Sequence, residues 1–208
     1  MKYCFSFLIL CVTVVGAQSN YRTEIPSPKS VLGYELGDKY TSYGRLEKYL
    51  FALRDAANER VRLVPYGETY EGRTLYLVVV SSPNNLNRLD AIKSDIRKLA
   101  DPRAVSDADA EKIITTSPAI AWLSYGVHGN EASSPEAALN VLYQLAASTD
   151  DDILSLLNNL IIVIDPLLNP DGHERYVNFE WTRSGIKPIE DKNAIEHRKT
   201  GVGNSRNS

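Results

Sequence analysis

Apolar residues recur at helical spacing between Tyr43 and Glu59, where Leu46, Tyr49, Leu50 and Leu53 share one face, and this predicts an amphipathic helix. Arg60 to Tyr66 alternates as a strand does, Gly67 to Arg73 is rich in turn residues, and the β-branched, apolar stretch Thr74 to Val80 predicts a second strand. The two strands are expected to form a hairpin or to be neighbours, with Glu71-Gly72 at the turn. Ser81 to Asn85 breaks the pattern, and helical periodicity returns through Leu86, Leu89, Ile92, Ile96 and Leu99. Ser106 to Ile114 predicts a short helix closed by Ser117-Pro118.

Two later runs have a different character. Ala119 to Tyr125 and Leu160 to Ile164 are almost continuously apolar, the pattern of strands buried on both faces. Between them, Ser133-Ser134-Pro135-Glu136 carries helix-start signals: a serine cap, an early proline, and a glutamate three residues after Ser133. That helix is expected to run to about Ala147, and Ser148-Thr149-Asp150 to cap another around Ile153 to Asn158. No internal repeat is present. Strands alternating with helices predict an α/β fold with a mostly parallel or mixed sheet covered on both faces.

The N-terminus departs from this plan. Lys2, the apolar run Phe5 to Val15 and the small residues Val15-Gly16-Ala17 read as a signal peptide over residues 1–17, cut after Ala17. The apolar run is too short to span a bilayer, so no stable membrane anchor is expected and the mature chain is placed as secreted or periplasmic. Cys4 and Cys11 both lie in this segment, leaving the mature chain without disulfide or thiolate chemistry. Residues 18–40, rich in Pro, Ser and Tyr, read as an extended lead-in, 41–198 as the domain, and 199–208 as a disordered or aberrant tail.

The chain's 208 residues suffice for one domain with its own core. A net charge of -3 argues against nucleic acid as a partner.

Active sites of open α/β sheets gather at the carboxyl ends of strands. The first apolar run ends in Gly126 and delivers His128-Gly129-Asn130-Glu131; the second is followed by Asn169-Pro170-Asp171-Gly172. If the strands are neighbours, both loops share one rim. An imidazole and a carboxylate three residues apart supply two of the three protein ligands of a catalytic zinc, whose remaining position holds a water of lowered pKa. Asn130 fits either a ligand loop or an ordinary turn. His173 and His197 lack that context and read as surface residues. A zincin helix with two histidines four apart is absent, as is a Gly-x-Ser-x-Gly nucleophile elbow.

Taken together, Tyr66-Gly67-Glu68-Thr69-Tyr70-Glu71-Gly72-Arg73, His128-Gly129-Asn130-Glu131 and Asn169-Pro170-Asp171-Gly172 resemble the M14 zinc carboxypeptidases, in matching order from about residue 40 to residue 198. Asn178 to Arg198, with Ala194-Ile195-Glu196-His197-Arg198, is similar to the exported bacterial branch of that family. The resemblance implies a three-layer α/β/α fold around a mixed, largely parallel sheet, incomplete at the C-terminus. It implies one Zn2+ ion with His128 and Glu131 as its first two ligands, and the C-termini of peptides or proteins as substrate. The family's carboxylate-clamping arginine, its Asn-Arg pair, its second zinc histidine and its glutamate base find no convincing match. Arg206 lies near the expected place of the clamp, and Arg175 and Arg183 read as surface arginines. The expected function is therefore that of a zinc metallocarboxypeptidase cut short. The alternatives are a non-catalytic peptide- or glycan-binding relative and an amidohydrolase acting on acylated amino acids.

Overall fold

The computed structural model describes residues 20–184 apart from 102 and 104, together with 191 and 193. The expected signal peptide, His197, Arg206 and the tail lie outside the described residues.

Strands β1 (Val61–Glu68), β2 (Thr74–Val80), β3 (Ala119–Ser124) and β4 (Leu160–Asp165) form one sheet in the order β1-β2-β4-β3. The pairs β1–β2 and β2–β4 are antiparallel and β3–β4 is parallel, so the sheet is mixed, as expected. The hairpin expected at Glu71-Gly72 is present, with Gly72 at φ 76° and the backbone closed by Thr69 and Arg73.

Side chains alternate across the pleat and fill two cores. Val78, Val80, Ile162 and Ile164 face α1 (Pro28–Leu32), α2 (Tyr43–Ala56) and α6 (Ser133–Ala147), where Leu46, Tyr49, Leu50 and Leu53 form the buried stripe predicted for α2. Val79, Ile161 and Val163 face α3 (Pro83–Asn87) and α4 (Leu89–Ala100) through Leu86, Leu89, Ile92 and Ile96. Helices on both faces give the three layers expected. The remaining helices are α5 (Asp107–Thr116), α7 (Asp151–Asn159) and α8 (Pro170–Ser184).

Several expectations are corrected. The single helix expected over Leu86 to Leu99 is two, because Ser82 caps α3 through Asn85 N–H with Pro83 at its first position, and the chain turns again at Arg88. The segment 18–40 holds a helix, α1, and contributes Ile25, Leu32 and Tyr34 to the larger core. Strand β3 was expected to be buried, but among the described residues it stands at the sheet edge, with Ile120 50% and Trp122 59% exposed. An edge strand pairs on one side only, so an apolar run does not by itself guarantee burial.

Candidate metal centre

Because β3 and β4 are parallel neighbours, with Ser124 opposite Asp165, the two expected loops leave the sheet side by side. Backbone bonds continue the pairing past the strands: Leu168 N–H donates to Tyr125 C=O at 2.9 Å and Asn169 N–H to Gly126 C=O at 3.0 Å. Gly126 has φ 66°, a left-handed conformation that side-chain-bearing residues rarely adopt, so this sharp exit from β3 favours glycine. Ser134 Oγ then accepts from Gly126 N–H at 2.9 Å and closes the His128 loop onto the start of α6.

Sequence reasoning placed Asn169-Pro170-Asp171-Gly172 in a loop, whereas Pro170 opens α8. Asn169 Oδ1 accepts from Gly172 N–H at 3.0 Å, the bond of a helix N-cap, while its Nδ2 donates to Val127 C=O at 3.2 Å. One side chain thus caps α8 and ties it to the His128 loop. The backbones of Gly129 and Gly172 also lie directly against each other.

Asp171 fastens the third landmark. Its side chain has no solvent exposure and accepts from Thr69 Oγ1 at 2.7 Å, Arg73 Nη1 at 2.6 Å and Glu71 N–H at 3.3 Å. Burial pushes the Asp171 carboxyl up, but the bonds from Thr69 and Arg73 outweigh it and hold the group below its usual range. Glu71 pairs with both Arg73 and Arg175, so Arg175 is committed to this network. Arg183 lies 4.3 Å from the centre of the Phe179 ring.

Within the loop, His128 Nδ1 stands 3.2 Å from Glu131 Oε1, and both side chains are about half exposed, at 47% and 59%. Nearby, Asp165 accepts from Tyr66 Oη at 2.6 Å, and burial raises its pKa.

His173, read from sequence as a surface residue, is 1% exposed. Its Nε2 lies 2.8 Å from Thr41 C=O and its Nδ1 3.3 Å from Gly129 C=O. Thr41 N–H in turn donates to Glu136 Oε1 at 2.6 Å. Burial comes first among the influences on Glu136 and raises its pKa. The capping role expected for Ser133 and Glu136 is corrected: Ala132 is the N-cap without a side-chain bond, and Glu136 turns inward to Thr41. The signal for His173 was present in Asn169-Pro170, a cap followed by a first-position proline, which places residue 173 in the first turn of a helix.

The chain does contain an Asn-Arg dipeptide, Asn87-Arg88. That dipeptide ends α3, and Arg88 Nη2 reaches Asn85 Oδ1 and Thr116 C=O, at the opposite end of β3 from His128.

The family model described as zinc carboxypeptidase matches residues 46–207. The chain belongs to the zinc carboxypeptidase family. Carboxypeptidase O of Bos taurus is 24% identical over 161 residues, covering 76% of this chain and 34% of that protein. Among solved structures, the carboxypeptidase A of Helicoverpa armigera is similar at 21% identity and a TM-score of 0.48, covering 70% of this chain and 31% of that one. A metallo-carboxypeptidase of Burkholderia cenocepacia is similar at 18% identity and a TM-score of 0.45, covering 73% and 34%. The chain spans about a third of the length of these relatives.

For a zinc carboxypeptidase the donor chemistry of the His128 loop fits the metal in part. An imidazole nitrogen and a carboxylate oxygen converge at a solvent-facing rim, the ligand types zinc takes alongside a water. Among the described residues no group of three or more His, Cys, Asp or Glu is placed to hold an ion. No helix of the described residues is long and apolar enough to cross a membrane.

Proposed function

We propose that His128 and Glu131 are two ligands of a single zinc ion in an exported metallocarboxypeptidase, which removes C-terminal residues from peptides or proteins. The observation that carries this reading is the convergence of the two side chains at the carboxyl end of β3, on a loop locked to the starts of α6 and α8. When bound there, zinc would lower the pKa of a coordinated water and polarise the scissile carbonyl. This chain's own residues orient the ligands: Asn169 holds Val127, Ser134 of α6 holds Gly126, and Asp171 braces the start of α8 against the Thr69–Arg73 turn.

Two ligands do not make a closed catalytic set, so turnover by residues 1–208 alone is not expected. The test is release of C-terminal residues from a peptide panel, with and without chelator. It compares the 208-residue chain with a longer form supplying a third zinc ligand and a glutamate base. Chelator-sensitive release by the longer form, lost in His128→Ala, supports the reading; robust turnover by the 208-residue chain contradicts it.

A further inference from the structure

The peptide group following Gly129 lies between the two candidate ligands, in a turn closed by Glu131 N–H donating to His128 C=O at 3.1 Å. His173 meets that group's carbonyl through Nδ1 at 3.3 Å from inside the protein, while its Nε2 is anchored on Thr41 C=O at 2.8 Å. Both partners are carbonyl acceptors: a neutral ring has one N–H and donates to one of them, and only the doubly protonated ring donates to both, so a bond to Gly129 requires the proton on Nδ1. The ring is buried, and Thr41 is itself held by Glu136 of α6. It therefore connects the ligand loop, α8, α6 and the segment before α2.

We propose that His173 is a positioning residue for the metal centre, which holds the Gly129 carbonyl and so sets the separation of His128 and Glu131. The proposal rests on the zinc reading above. Groups behind metal ligands typically change metal affinity by about 10–100-fold when removed.

Two isosteric substitutions separate the contacts. Asparagine carries its amide nitrogen near the place of ring Nδ1, and glutamine near that of Nε2. His173→Asn therefore retains a donor for Gly129, whereas His173→Gln retains only the bond to Thr41. Zinc affinity is measured by calorimetry on the 208-residue chain, with thermal unfolding of the metal-free variants alongside. The expected result is affinity close to the parent's for His173→Asn and about tenfold weaker for His173→Gln. Equal affinity for all three proteins, or an equal loss in both variants, overturns the proposal.

A measurement on the unsubstituted chain guards against misfolded variants. The ¹⁵N shifts of the His173 ring are expected to show a protonated, hydrogen-bonded Nδ1, and an unprotonated Nδ1 overturns the proposal. His128→Ala serves as the separate control: if it binds zinc as the parent does, the metal reading itself fails and His173 has no site to position.

Discussion

Gly129 and Gly172 are packed backbone to backbone, so closely that a Cβ on Gly129 would collide with the Gly172 carbonyl carbon and the His173 nitrogen. The glycine between the candidate ligands is thus required by contact with another element, and not by a left-handed backbone conformation. Gly129→Ala must push the ligand loop off α8, and overpacking of this kind costs about 1–3 kcal/mol. Urea unfolding measures it. Gly44, in α2, has open space around it, and there the same substitution is expected to be neutral or to stabilise by about 0.5–1 kcal/mol.

Asp171 is the buried pin of the second interlock. Its carboxyl is held below its ordinary range in the folded protein, so the folded state binds its proton later than the unfolded chain does. The stability it supplies is fully present above the ordinary carboxylate range and is lost as pH falls through the folded value. Asp171→Asn leaves Arg73 without its buried partner and is expected to cost about 3 kcal/mol at neutral pH. The difference from the parent should narrow as pH falls below the ordinary carboxylate range and through the lowered folded value. A difference that stays constant with pH would remove Asp171's charge from the explanation.

Among the described residues strand β3 is paired on one side only, and Ile120, Trp122 and Leu123 are exposed. Such an edge favours pairing between chains. The 208-residue chain is expected to self-associate with rising concentration in light scattering, and Trp122→Lys to reduce that association without lowering thermal stability.

How far the sequence disclosed this arrangement depended on the range of the interactions. Hydrophobic period located β2 and β4 nearly to the residue and the start of α2, which ends at Ala56 where Glu59 was expected, because Leu46, Tyr49, Leu50 and Leu53 or Ile161, Ile162 and Ile164 report their own burial. Local chemistry also identified the loop that brings His128 next to Glu131. What escaped was set by partners far along the chain. Burial of β3 depends on whether a strand lies beyond it, which its apolar run does not encode. His173 is buried because Thr41 and Gly129 offer carbonyls to its ring, and Glu136 is drawn away from capping by Thr41 N–H. The helix α8 was missed because its apolar positions are too mixed with polar ones to give a period, although Asn169-Pro170 marks its start.

The most direct test of the account is zinc binding by the 208-residue chain and its His128→Ala and Glu131→Ala variants, followed by calorimetry at neutral pH. The account predicts one weak site per chain, lost in each variant while the metal-free unfolding temperature stays near the parent's, since both side chains are exposed. Zinc binding that survives both substitutions unchanged would contradict it.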